Sequence, residues 1–142
     1  VENSLNGKLS EIQSSLGILN LKVLDQIIHQ RKNKYSLCLN NLKNFGSLKF
    51  QKFSHGEPNH SYFPIIFQNQ KWLIKIKKAL NKQNIFPRRY FYPFVNAFEK
   101  VVDSGEKIES EYLANRILCL PLFYDLEDRI INSICNFISD SL

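Results

Sequence analysis

Two segments of this 142-residue sequence carry the residue types from which a binding site can be built. The first is Ser4-Leu5-Asn6-Gly7-Lys8, just ahead of a helix start. Asn6 and Lys8, two apart in a glycine-containing loop, could face one anion together, and free helix amides and the helix dipole would add to that attraction. The second is Phe86-Pro87-Arg88-Arg89-Tyr90-Phe91-Tyr92-Pro93. Arginine offers planar paired donors for phosphate, while Tyr and Phe offer flat faces for a base. The run suits a nucleotide or single-stranded nucleic acid, and it also reads as an ordinary aromatic strand with outward arginines. His60, opening an apolar strand, is a third candidate.

Much chemistry is missing. The sequence has no Gly-rich phosphate loop, no paired-His metal motif and no nucleophile elbow. His29, His55 and His60 stand apart from carboxylates and cysteines, and the carboxylates are too scattered to suggest an acid/base pair. A self-contained enzyme is not expected. Cys38, Cys119 and Cys135 are widely spaced among Leu and Ile, as reduced, buried cysteines usually are, and no zinc spacing exists.

Composition narrows the class further. Nineteen Lys and Arg against thirteen Asp and Glu leave a net charge of +6, which suits an anionic partner or simply a solvated surface. The basic residues are dense only at Lys71, Lys75, Lys77, Lys78 and Lys82. Aromatics at 13% exclude a disordered chain, and five Gly with five Pro exclude a collagenous one. No apolar run approaches the ~20 residues that span a bilayer, and no secretory signal opens the chain. A cytoplasmic location is expected. The length suits one domain able to bury its own core. A sequence without Met that opens on Val1-Glu2-Asn3 is expected to be processed or cut from something longer.

The elements that must position these residues follow from periodicity. Ser10-Glu11-Ile12-Gln13 fits a capping box. Ile12, Leu16, Leu19, Val23 and Ile27 then form a helical stripe, and the pattern continues through Tyr35, Leu39 and Leu42 toward Asn44. A helix so long, apolar along its first turns too, is expected to join two domains, with 1–44 an interdomain or dimer-interface region and 45–142 a small α/β subdomain. Gly46 is a candidate left-handed cap. A short strand is predicted near Leu48–Phe53 and another at Ser61–Phe67, where Pro64 argues for an edge or a bulge. Trp72, Leu73, Ile76 and Leu80 line a helix, Ile85–Tyr92 reads as a strand running into a loop, and Ile108–Leu118 as a short helix. Cys119–Leu122 reads as extended, and a last helix starts at Asp125 with Ile130, Ile131, Ile134, Phe137 and Ile138 inside. The fold class is α+β: a long helix feeding a small, mostly antiparallel sheet covered by helices.

Five blocks also carry a resemblance. Asn6-Gly7-Lys8-Leu9-Ser10-Glu11-Ile12-Gln13-Ser14-Ser15-Leu16-Gly17 resembles the N-x-[RK]-M-S-E-x-Q-A-A-x-G stretch of the DegT/DnrJ/StrS sugar aminotransferases. Leu24-Asp25 with Arg31-Lys32 and Tyr35 is similar to their L-D…R-R…Y helix, and His60-Ser61-Tyr62-Phe63 to the strand that follows. Asn84 to Pro93 resembles the version in nucleotide-linked 3-keto-sugar aminotransferases. Leu118-Cys119-Leu120-Pro121-Leu122-Phe123-Tyr124-Asp125-Leu126 is similar to their L-x-L-P-L-Y-x-x-L ending.

The resemblance implies the C-terminal small domain of a type I, pyridoxal-phosphate-dependent aminotransferase fold. Such an enzyme aminates a keto sugar on a nucleoside diphosphate, usually from glutamate, as a homodimer with interfacial active sites. The Schiff-base lysine would lie in a domain before Val1, so no lysine here matches it, and the piece alone is expected to be inactive. Asn6 matches the residue that reaches a neighbour's cofactor phosphate, and Lys8 the basic residue beside it facing the substrate. Arg88, Arg89, Tyr90 and Tyr92 match the segment lining the nucleotide-sugar cleft, and His60 lies in the matching strand. Many relatives carry a His soon after the Tyr-Pro; here Pro93 is followed by Phe94-Val95-Asn96, which leans toward a dTDP-3-keto-6-deoxyhexose over a 4-amino-sugar substrate. Ser4 also replaces the usual Gly. A basic single-strand nucleic-acid module, using the Arg-Arg-Tyr-Phe-Tyr run, and a stand-alone dimerisation domain are the alternatives.

Overall fold

A computed structural model of the chain describes residues 8–94 and 108–142. Helix α1 (Glu11–Leu42) opens with a complete capping box: Ser10 Oγ accepts from the Gln13 amide at 3.2 Å, and Gln13 Oε1 accepts from the Ser10 amide at 3.0 Å. Its two halves differ in surroundings. Lys34, Tyr35, Cys38 and Leu42 are buried, and this half packs on the last helix. The earlier stripe of Ile12, Leu16, Leu19 and Val23 lies open to solvent, from 82% exposed at Ile12 to 42% at Val23. Gly46 is not the left-handed cap the sequence suggests. Lys43 closes the helix in right-handed geometry, and the chain turns through Phe45 N–H to Leu42 O (3.1 Å) and Leu48 N–H to Phe45 O (3.0 Å), so no positive φ is needed.

Strands β1 (Leu48–Phe50), β2 (Phe63–Phe67) and β3 (Ile117–Leu120) form one antiparallel sheet in that order. The structure overturns the expectation for Pro64, which stands in the central strand. Both backbone groups of its partner Cys119 bond Arg88 on the far side of β3 (3.0 and 2.8 Å), so Pro64 and Cys119 form a non-hydrogen-bonded pair. The imide nitrogen of Pro64 therefore faces the β1 side, where β1 has already ended opposite Ile65. The missing donor costs no ladder bond.

Helix α2 (Gln70–Lys82) is capped by Asn69, whose side chain accepts from the Trp72 amide at 3.0 Å. It buries Leu73, Ile76 and Leu80, as the stripe predicts. Its other end forms a Schellman motif: Asn84 adopts φ 59°, its amide bonds Asn81 O (3.1 Å), and the Ile85 amide bonds Leu80 O (3.1 Å). The predicted strand over 85–92 is reduced to one bridge, Arg88 with Cys119. Pro87, which has no amide to give, precedes the bridge, and the chain turns away after it.

Helix α3 (Ile108–Ala114) is shorter than expected, because Ile117 and Leu118 pair with β2 instead. Helix α4 (Asp128–Ser141) begins three residues later than Asp125: Leu126 is buried and its carbonyl is held by Lys34 Nζ. The inner face of α4 is Ile131, Ile134, Cys135 and Ile138, while Ile130 is exposed and Phe137 only partly covered. Alternate residues Phe63, Ile65 and Phe67 of β2 share one sheet face and meet Leu73, Ile76, Leu80, Ile134 and Ile138 in a single core. The result is the α+β class read from the sequence. All three cysteines are buried and free.

Candidate functional site

The Schellman end of α2 aims the chain into the segment 86–92, and two anchors then fix that segment. Pro87 is buried, and Arg88 is bridged to β3 through its backbone. From there the side chains part company. Arg88 Nη1 donates to the Tyr90 hydroxyl at 2.9 Å, and the Tyr90 ring packs edge-on to Tyr62 at 5.1 Å. Arg89 goes elsewhere: Nη2 donates to the Ala114 carbonyl at the end of α3 (3.1 Å), and its guanidinium carbon sits 3.4 Å from the Tyr92 ring centre. Gln70, the first residue of α2, donates to Asn115 Oδ1 at 3.1 Å and lies 3.5 Å from the Tyr92 hydroxyl.

Two clefts flank this segment. One, of about 290 Å³, opens toward the sheet between Tyr62, Phe86, Arg88, Tyr90 and Phe123. The other, of about 640 Å³, lies between the segment and α2 and is lined by Lys77 and Asn81 together with Phe86, Arg88, Arg89 and Tyr92. Arg88 borders both. The hydrogen bond from Arg88 holds the Tyr90 phenol below its ordinary pKa, with a further contribution from Tyr62, while the bond to Tyr90 pushes the Tyr62 phenol up. Guanidinium and paired phenols on an open, aromatic wall can bind a phosphate and a flat ring.

The other residues singled out in the sequence lie apart from this pair of clefts. His60 adopts φ 49° and packs against Tyr35 (5.0 Å) and Phe53 (6.1 Å), lining a separate hollow of about 260 Å³. Its Nδ1 is enclosed without a hydrogen-bond partner among the described residues, and burial, then the charge of Lys32, lowers its pKa. Lys8 is exposed ahead of α1. Asn6 lies outside the described residues. Sequence reasoning missed Tyr62, Lys77 and Asn81 as cleft residues. The i,i+4 spacing of Lys77 and Asn81 beside the buried Ile76 and Leu80 marks a helix flank, but not which segment that flank meets.

Among solved structures, that of the aminotransferase TlmJ from Streptoalloteichus hindustanus superimposes with a TM-score of 0.83 at 17% identity, covering 99% of this chain and 39% of that one. The architecture is thus that of a portion of an aminotransferase fold. The sequence model of the DegT/DnrJ/EryC1/StrS aminotransferase family matches residues 2–139, and the chain belongs to that family. The dTDP-4-amino-4,6-dideoxy-D-glucose transaminase of Shigella dysenteriae is 32% identical over 95% of this chain, and its Escherichia coli counterpart 33% over 89%. The chain spans 38% and 36% of the length of these two curated relatives.

The family implies pyridoxal phosphate, and the buried lysine among the described residues does not supply the amine that such a cofactor bonds. Lys34, the buried lysine among them, spends its ammonium on the Leu126 carbonyl and on Asp128 Oδ1 at 3.5 Å, so it is not available to bond a cofactor aldehyde.

Proposed function

We propose that this chain is the C-terminal part of a pyridoxal-phosphate-dependent transaminase that aminates a keto sugar carried on a nucleoside diphosphate. The observation that carries the reading is Arg88, which borders two aromatic clefts and, among the described residues, meets no carboxylate lining either. Arg88, Tyr90 and Tyr92 bind the nucleotide sugar, and Arg89 holds their segment in place. Asn6 and Lys8 act at a cofactor phosphate and a substrate completed by another subunit. His60 lines a neighbouring hollow that shares Tyr62 with the smaller cleft, and it would meet a bound substrate only at that border. The exposed apolar half of α1 supports a homodimeric or interdomain role for 1–44, since a patch of that kind is usually covered. Three buried, free cysteines support a reducing, cytoplasmic location.

The donor in this reading is glutamate, and the residues after Pro93 favour a dTDP-3-keto-6-deoxyhexose. The names of the two curated relatives favour amination at C4 instead. Incubating the whole protein with glutamate and either the 3-keto or the 4-keto dTDP-sugar, with NMR of the product, separates the two. Amination of neither would defeat the reading. The chain by itself should give no transamination, and no visible band of bound cofactor should survive dialysis.

A further inference from the structure

The larger cleft gathers positive charge. Lys77, Arg88 and Arg89 line it, and among the described residues no Asp or Glu does. Arg89 is committed to the Ala114 carbonyl and the Tyr92 ring. Arg88 spends one nitrogen on Tyr90. The ammonium of Lys77 has no hydrogen-bond or ion-pair partner among the described residues.

Lys77 also differs from the other lysines of its helix. Lys71, Lys75, Lys78 and Lys82 are exposed, and Lys75 is engaged by the Ser141 carbonyl (2.9 Å) and the Trp72 ring (4.3 Å). Lys77 is half-buried, its stem held in the cleft wall. Asn81, one turn on, is not a competing donor. Oriented to satisfy its amide, its nitrogen donates to the carbonyls of Ile85 (3.1 Å) and Lys77 (3.2 Å), tying the end of α2 to the segment that carries Arg88. Two cations, one on α2 and one on the 86–92 segment, thus line a cleft of about 640 Å³, within the roughly 300–1,000 Å³ typical of small-molecule sites. The exposed ring of Phe86 lies at the same wall.

We propose that Lys77 and Arg88 form a diphosphate seat in the cleft between α2 and the 86–92 segment, with Phe86 offering its face to the attached nucleoside. The seat rests on the nucleotide-sugar reading above and adds to it Lys77, a binding residue that the family resemblance does not supply. An ammonium and a guanidinium from the two bordering elements neutralise adjacent phosphoryl groups through charge-assisted hydrogen bonds.

The test is titration of the chain with inorganic pyrophosphate, dTDP and thymidine at low ionic strength, followed by amide chemical shifts and calorimetry. Pyrophosphate and dTDP should shift residue 77 and residues 86–90. Lys77→Gln and Arg88→Gln should each weaken dTDP about tenfold, the loss of one charge-assisted contact. Lys75→Gln, which removes an equal charge outside the cleft, should change it less than twofold, and Lys77→Arg should keep most of the affinity. Equal losses from Lys75→Gln and Lys77→Gln, or shifts confined to other residues, overturn the seat. If dTDP binds tightly with no dependence on Lys77, the seat fails and the nucleotide-sugar reading stands. If pyrophosphate binds through Lys77 but dTDP binds no tighter, the seat stands as an anion site and the nucleotide reading fails.

Discussion

The Arg89 guanidinium carbon sits over Tyr92, 3.4 Å from the ring centre, while its Nη2 donates to the Ala114 carbonyl. This pairing holds the 86–92 segment to the end of α3. Arg89→Gln should therefore lower folding stability by about 1–2 kcal/mol, from one charged hydrogen bond and one cation–π contact. Urea unfolding checks it. Arg88→Gln, at an exposed position, should leave the unfolding free energy within about 0.5 kcal/mol of wild type. Equal losses from the two variants would show that Arg89 has no special anchoring part.

Lys34 and Asp128 are unequal partners. Lys34 is 10% exposed and Asp128 71%, with 3.5 Å between them, whereas the Leu126 carbonyl accepts from the lysine in a buried setting. Lys34→Ala strands that carbonyl and should cost about 1–3 kcal/mol, while Asp128→Asn should cost under about 1 kcal/mol, as exposed ion pairs do. A larger loss from Asp128→Asn in a denaturant series would reverse this ranking.

His60 predicts a pH dependence. Burial, aided by Lys32, sets its native pKa below the ordinary 6.5, so the unfolded chain binds more protons in the window between the two values. Its contribution to stability is complete above 6.5 and is lost as the pH falls through the native pKa. His60→Asn, which accepts the left-handed backbone at φ 49°, should flatten the urea midpoint between pH 7.5 and 5 relative to wild type. An unchanged slope assigns the dependence to other groups.

Burial alone pushes the Cys119 thiol up to about 11; Cys38 and Cys135 are more deeply buried, and the hydrogen bond between them raises Cys38 and lowers Cys135. A colorimetric disulfide reagent at pH 8 should label none of the three in the folded chain over minutes, and all three in urea. Rapid labelling of one thiol without denaturant contradicts the packing around it.

Leu16 and Leu19 lie on the open half of α1. Changing both to Ser should change the unfolding free energy by no more than about 0.5 kcal/mol, yet reduce self-association in sedimentation of the chain. A marked loss of stability would mean that this half belongs to the fold of the chain itself.

Local features were legible wherever the chemistry is local. The Ser10–Gln13 capping box, the α2 stripe of Leu73, Ile76 and Leu80, and the burial of the three cysteines follow from short-range periodicity and composition. Boundaries failed where distant partners intervene. Ile117 and Leu118 left a helical pattern because β2 offers a ladder, and α4 starts late because Lys34, far away in the chain, claims the Leu126 carbonyl. Pro64 argued for an edge because its missing donor was weighed without knowing which side would lack a neighbour.

The site divides along the same line. The sequence by itself determined that Arg88, Arg89, Tyr90 and Tyr92 travel together, and that His60 opens an apolar strand, because residue type and order are local properties. Only the tertiary structure decided that the two arginines part, one to Tyr90 and the clefts, the other to Ala114 and Tyr92. It also brought Lys77 to the cleft that Arg88 lines and set His60 apart in an aromatic cluster with Tyr35. The physical reason is the pair of constraints at either end of the segment: the left-handed turn at Asn84 and the Arg88–Cys119 bridge orient a backbone whose side chains then have one place each to go.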